Sequence, residues 1–123
     1  MNLLRTVTTN LNGSGVRVAQ AEGVVATNLP PVFEVNPAPT GLPASLFTYF
    51  SADGSSSTYP NSVGSNSWHA DLVAGVYYDV SSGVATNVAH IDNYEADYFY
   101  SSIVASLPPH NINDKVVNQS FIF

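Results

Sequence analysis

The sequence predicts an α/β fold in which helices flank a mostly parallel sheet. Three segments, 16–21, 88–92 and 115–121, have the apolar patterns of buried strands. Segments of helical periodicity separate the later strands. Strands that alternate with helices favour a parallel sheet built by right-handed crossovers. A chain of 123 residues has the length of one domain.

The composition indicates a globular chain and excludes several classes of partner. Hydrophobic residues make up 45% of the chain, which argues against disorder. The net charge is −6, and Arg5, Arg17 and Lys115 are too few cations for a nucleic-acid or anionic-membrane surface. No apolar run reaches the about 18 residues of a membrane span. Because cysteine is absent, disulfides and thiolate metal sites are excluded.

The segment 66–75 predicts a helix that presents His69 in its first turn and runs to about residue 79. Asn66 or Ser67 can cap this helix by accepting a hydrogen bond from a first-turn N–H. Gly75 indicates close backbone packing, since glycine is unfavourable inside a helix. Four apolar residues at helical spacing predict its buried face: Leu72, Val73, Val76 and Tyr77.

Glu22 lies at the carboxyl end of the first predicted strand, directly before Gly23. Open α/β sheets place functional groups at this end of their strands. The alternative interpretation is a solvated carboxylate at a strand end. His69 has the same two interpretations, structural or catalytic, when it is considered alone.

Residues 24–65 predict a long irregular loop region. A connection of this length is more often functional than a simple linker. Within it, 46–50 has the pattern of one strand, whereas five prolines argue against regular structure across 30–43: Pro30, Pro31, Pro37, Pro39 and Pro43.

Asn93 predicts the cap of a second helix, which Pro108 ends. Asp92, Glu95 and Asp97 favour an acidic helix start over a cation site. The apolar face of this helix would be Ala96, Phe99, Tyr100, Ile103, Val104 and Leu107.

Two further groups of side chains leave the prediction unchanged. His90 and His110 have no carboxylate partners at a spacing known for metal sites, so no metal ligand is predicted. The tyrosines are interpreted either as a core boundary or as a sugar- or peptide-binding patch: Tyr77, Tyr78, Tyr94, Tyr98 and Tyr100.

Four segments together resemble the motifs of subtilisin-like serine peptidases, in the family's order. Segment 13–22 resembles the first motif, in which a Gly-x-Gly-Val turn and strand deliver the catalytic acid, here at Glu22. Segment 69–75, His-Ala-Asp-Leu-Val-Ala-Gly, resembles the second motif, His-Gly-Thr-His-Val-Ala-Gly, whose first histidine is catalytic. Segments 83–86 and 116–121 resemble the Gly-Val-Ala-Pro stretch and the cleft-lining strand Val-Ile-Asn-Met-Ser-Leu.

The resemblance implies a subtilisin-like α/β fold and a serine endopeptidase that acts on peptide or protein substrates. His69 would be the general base, Glu22 the acid that orients it, and Ser120 and Phe121 substrate-binding residues. Histidine suits this role near neutral pH, and a carboxylate fixes its tautomer. No cofactor is implied, although a structural calcium ion is left open. The compartment is unknown, and the family favours an extracellular or cell-envelope location.

The family's oxyanion-hole Asn and nucleophilic Ser lie downstream of the strand that matches Ser120. We therefore expect 1–123 to be the N-terminal part of a catalytic domain whose sheet is incomplete at its C-terminal side. On this interpretation the isolated chain is inactive. The remainder of the domain, in the same or a partner chain, would supply the missing groups.

The chain also departs from the family pattern. Glu22 replaces the usual Asp, as in the related sedolisin-type peptidases, but His69 argues against that branch. Residues 70–72 replace Gly-Thr-His, and 121–122 replace Leu-Gly. Asp71 would either act on His69 or cap the helix start. The alternatives are an inactive relative with a peptide-binding or structural role, and a small self-contained α/β binding module.

Overall fold

A five-stranded sheet forms the centre of the fold in the computed structural model, which describes Val7 and residues 10–25 and 29–122. Its strands are β1 (Arg17–Glu22), β3 (Phe47–Ser51), β4 (Gly54–Ser56), β6 (His90–Glu95) and β7 (Val116–Ser120). Their order is β4-β3-β6-β1-β7, and β3, β6, β1 and β7 run parallel to one another. β4 is antiparallel to β3. The predicted α/β class with a mostly parallel sheet is therefore confirmed.

The other elements surround this sheet. β2 (Val32–Glu34) pairs in parallel with β5 (Ser65–Asn66) as a separate two-stranded sheet. The helical elements are α1 (Pro37–Thr40), a 3₁₀ turn (Ala44–Leu46), α2 (Trp68–Tyr77) and α3 (Ala96–Tyr98), which continues as a π-helical segment (Phe99–Val104). Within the described part of the chain, no helix is long and apolar enough to cross a membrane.

The prediction that prolines exclude regular structure from residues 30–43 is wrong. α1 starts at Pro37, where the missing N–H removes no helical hydrogen bond. The Asn36 side chain caps this helix by accepting from the Ala38 N–H at 3.0 Å. Gly41 ends it at φ 70°, a left-handed conformation that glycine adopts without strain. Short elements therefore fit between the prolines.

The second predicted helix starts two residues later than expected. Asn93 lies in β6, where its side chain is buried and accepts from the Val35 N–H at 2.8 Å. Glu95 is the actual cap, accepting from the N–H groups of Asp97 and Tyr98 at 2.9 and 2.8 Å. Three residues of the predicted apolar face are exposed: Tyr100, Val104 and Leu107.

The two faces of β1 contact different halves of the core. Val18 packs on the face covered by α2, in a cluster that includes Phe47 and Ile91. Ala19 and Ala21 pack on the opposite face. Because side chains alternate along a strand, Gln20 and Glu22 share the face of Val18 and point towards α2. This alternation places the candidate site between β1 and α2.

Candidate active site

Ser67, one of the two caps predicted from the sequence, caps helix α2. The Ser67 hydroxyl accepts from the Ala70 N–H at 3.4 Å, and the Ser67 N–H donates to the Glu34 carbonyl at 2.8 Å. The second bond ties the helix start to β2. These contacts fix the position of the first turn, which carries His69.

Asp71 is bound to the connection that precedes α2. Its carboxylate accepts from the Asn66 side chain at 3.1 and 3.0 Å and from the Asn36 N–H at 2.8 Å. These bonds are not the predicted cap of the helix start, a role that Ser67 fills; Asp71 instead joins α2 to Asn66 and to Asn36.

The structure brings Glu22 and His69 together, 47 positions apart in the chain. His69 Nδ1 lies 2.7 Å from Glu22 Oε2. The Glu22 side chain is fully buried, whereas the His69 side chain is 40% exposed. An ionised carboxylate can only accept, so with Glu22 ionised the Nδ1–H donates, and in the neutral imidazole Nε2 then carries no proton. Such an imidazole can act as a base through Nε2.

Two features of the Glu22 environment have opposite effects on its ionisation. Burial raises the pKa of Glu22 above its ordinary value, because a charge is poorly solvated inside the protein. Hydrogen bonds from Gln20 and His69 act in the opposite direction. The charge on Glu22 therefore depends on these two neighbours.

Two residues of the site, Gln20 and Tyr78, were not predicted as site residues from the sequence. The Gln20 amide N–H groups donate to Glu22 Oε1 at 2.7 Å and to the Ala70 carbonyl at 3.0 Å. The Tyr78 hydroxyl donates to Gln20 Oε1 at 2.6 Å. The available signal was the spacing of Gln20 and Glu22, which puts both on one face of a buried strand, where polar groups need partners.

A cavity of about 470 Å³ adjoins His69. Ser120 of β7 borders this cavity and is the register partner of Glu22 across the β1–β7 pair. The Ser120 hydroxyl accepts from the Asn118 side chain at 2.7 Å. The lining is otherwise mainly apolar: Leu72, Val73, Val76, Tyr77 and Val84. Ser120, predicted as a substrate-binding residue, therefore lies at the same cavity as His69.

The predicted buried face of α2 is wrong. Leu72 and Val76 are 61% and 62% exposed, and the residues buried against the sheet are Ala70 and Ala74. Small side chains let the helix lie close to β1, with the larger apolar residues on the cavity side. The packing predicted at Gly75 is also absent, since an added Cβ there would meet no atom within 4 Å.

Phe121 lies apart from this cavity. It packs with the core cluster on the opposite face of the sheet and lines a separate cavity of about 270 Å³ with Gly23 and Asp97. The structure therefore brings Glu22, His69 and Ser120 together, and places Phe121 at the neighbouring cavity.

The remaining histidine and acidic residues do not form a metal centre in the described residues, where no group of three or more such side chains could hold an ion. Asp92, predicted near a helix start, lies in β6 and accepts from Arg17 at 2.8 Å. His90 Nε2 lies 3.2 Å from Asp92 Oδ1 and 3.0 Å from Thr48 Oγ1. These contacts form a second histidine–carboxylate pair at the amino end of the sheet.

The Glu22–His69 pair thus combines a buried carboxylate, a partly exposed imidazole and an adjoining, largely apolar cavity. Such an arrangement can remove a proton from a hydroxyl group held beside Nε2. A scan against protein-family models and searches of curated proteins and of solved structures found no match to this chain.

Proposed function

We propose that this chain supplies the base and the orienting acid of a serine endopeptidase, with His69 as base and Glu22 as acid. The observation that carries the proposal is the 2.7 Å contact between a fully buried carboxylate and a partly exposed imidazole. The subtilisin-like motif resemblance supplies the reaction class. It assigns these two roles to the two residues that the contact joins.

In the proposed reaction, a serine hydroxyl attacks the carbonyl carbon of a peptide bond while His69 Nε2 takes its proton. Glu22 holds the Nδ1–H and stabilises the imidazolium that forms. The imidazolium then gives its proton to the leaving amine, and water releases the acyl group in a second, similar step. The nucleophilic serine and the oxyanion-hole Asn come from the remainder of the catalytic domain, in the same or a partner chain.

The cavity gives the substrate a place beside the base. Ser120 forms part of one wall, and Leu72 and Val76 contribute apolar surface from α2. An apolar cavity with a few polar groups is the usual form of a small-ligand or side-chain site. In this proposal Ser120 borders the substrate near His69, and Phe121 borders the adjoining cavity beyond Glu22.

The decisive test is His69→Ala in the complete protein that carries this sequence. Removing the base should lower kcat/KM for peptide hydrolysis by about 10³-fold or more. His110→Ala is the matched control, because His110 is exposed and should keep the wild-type rate. Equal rates for wild type and His69→Ala would contradict the proposal.

The alternative is a relative that binds peptide in this cavity without cleaving it. The apolar lining favours binding, and it requires no nucleophile. A serine-directed phosphonate separates the two functions. It should label a serine in the complete active peptidase and leave an inactive relative unlabelled.

A further inference from the structure

A chain of buried hydrogen bonds runs from the hydrophobic core to His69. It starts at Tyr78, passes through Gln20 and ends on Glu22, and all three side chains are fully buried. The Tyr78 hydroxyl, 2.6 Å from Gln20, belongs to the same core cluster as Val18 and Phe47. Gln20 lies 2.7 Å from Glu22, which in turn lies 2.7 Å from His69.

The orientation of the Gln20 amide follows from its three partners. The Glu22 carboxylate and the Ala70 carbonyl can only accept, so both face the amide NH₂ group. The amide oxygen faces Tyr78, whose hydroxyl can donate. A reversed amide would set its oxygen against these two acceptors and lose both bonds, while its NH₂ group could still donate to the Tyr78 oxygen. The Ala70 carbonyl therefore fixes the orientation of the amide, and the Tyr78 hydroxyl holds the amide oxygen in place.

This N–H gives each oxygen of Glu22 a separate donor. Oε1 accepts a hydrogen bond from Gln20 and Oε2 accepts one from His69, so the two bonds together fix the rotation of the carboxylate. The bond from Gln20 to Ala70 also joins β1 to the residue directly after His69 in α2. A single amide thus controls both the carboxylate and its distance from the helix that carries the imidazole.

We propose that Gln20 and Tyr78 are positioning residues that hold the Glu22 carboxylate as the acceptor for His69 Nδ1–H. This inference rests on the proposed roles of Glu22 and His69 as acid and base. Neither Gln20 nor Tyr78 touches the substrate. They act through Glu22, because a fixed, ionised carboxylate keeps the imidazole in the tautomer whose Nε2 is free.

The test follows Glu22 and His69 by NMR in the full chain, using the ¹³C shift of the Glu22 carboxyl and the ¹⁵N shifts of the imidazole. Gln20→Met keeps the length of the side chain but removes the donor to Oε1. The pKa of Glu22 should then move further up, and a protonated carboxyl would donate to Nδ1. The His69 proton should move from Nδ1 to Nε2 over that pH range.

Tyr78→Phe is the second variant, and it removes only the hydroxyl that holds the Gln20 amide oxygen. It should change both signals in the same direction as Gln20→Met, by a smaller amount. Tyr49→Phe is the matched control, since Tyr49 is equally buried and donates its hydroxyl to the Val35 carbonyl, away from Glu22. This control should reproduce the wild-type Glu22 titration and His69 tautomer.

The proposal is overturned if Gln20→Met and Tyr78→Phe both titrate like Tyr49→Phe. If Gln20→Met does not fold, Tyr78→Phe against Tyr49→Phe decides the question alone. In the complete protein, Gln20→Met should lower kcat about tenfold or more, with KM little changed. NMR changes without any hydrolysis by the wild type would support the positioning role and contradict the peptidase proposal.

Discussion

Two histidine–carboxylate pairs lie at opposite ends of the parallel sheet, and their carboxylates are held differently. At the carboxyl end of β1, Glu22 is fully buried and receives hydrogen bonds from Gln20 and His69. Towards the amino end of β6, Asp92 forms an ion pair with Arg17 at 2.8 Å, and it lies 3.2 Å from His90. The two pairs share a chemistry but not an environment.

The neighbours decide what each pair can do. Arg17 gives Asp92 a permanent counter-charge. The Thr48 hydroxyl lies within hydrogen-bond distance of His90 Nε2, the same nitrogen that faces Asp92. Burial lowers the pKa of His90, although Asp92 acts against this effect. Residues of β1, β3 and β6 are joined at this end, which makes the second pair a cross-link. Glu22 depends instead on a titratable partner and a neutral amide, so the first pair can exchange protons.

The largest expected difference between the pairs is in catalysis. Glu22→Gln should lower kcat for peptide hydrolysis by about 10³- to 10⁴-fold in the complete protein, because the amide can favour the wrong imidazole tautomer. Asp92→Asn makes the corresponding change at the other pair and should leave kcat within a few-fold of wild type. Similar losses for the two variants would show that the pairs are not functionally distinct.

The free energy of unfolding should depend more on the second pair than on the first. Arg17→Met leaves Asp92 and the neighbouring Asp114 without their cation, and both carboxylates have little contact with solvent. We expect a loss of about 2 kcal/mol in the free energy of unfolding, less than for a fully buried pair because Arg17 is 37% exposed. Urea unfolding measures this loss. Arg17→Lys should recover part of it, and no loss in Arg17→Met would contradict the cross-link.

The third expected effect is a pH dependence of stability, to which the second pair contributes. Burial, with a contribution from Asp92, raises the pKa of Asp114 from 3.8 to about 7. Burial also raises the pKa of Glu34 from 4.5 to about 7. Through these two carboxyl groups, the folded chain binds more protons than the unfolded chain between about pH 4 and pH 7, whereas the lowered pKa of His90 acts in the opposite direction. The free energy of unfolding should fall as pH rises through this window.

Urea titrations across this range measure that slope. Asp114→Asn and Glu34→Gln should each reduce it, because neither replacement ionises. Asp53→Asn is the control, since Asp53 is exposed and should leave the slope unchanged. A slope that survives both buried replacements would assign the effect to other groups, of which Glu22 acts in the same direction.

The elements that carry the site follow local rules, which is why the sequence predicts them. The Ser67 cap, the first-turn position of His69 and the strand that ends at Glu22 depend on neighbours within a few residues. The pairing of Glu22 with His69 came from the motif resemblance. No periodicity could join two residues that a long connection separates.

The predictions that are wrong or missing concern features that depend on tertiary packing. Leu72 and Val76 have the spacing of a buried face, but Ala70 and Ala74 are the residues against the sheet. Periodicity shows that a helix has an apolar side and cannot show whether the sheet or a cavity covers it. The role of Gln20 depends on Tyr78 and Ala70, which only the folded chain brings to it.

The position of β1 in the sheet has a dynamic consequence for the site. β1 pairs with β6 on one side and β7 on the other, so its backbone is held along both edges. Such central strands exchange their amide hydrogens only through large openings. Glu22 therefore belongs to the slowest-opening part of the fold. His69 lies near the start of a helix with one exposed face. Local fluctuations that change the distance between Glu22 and His69 should therefore be movements of His69.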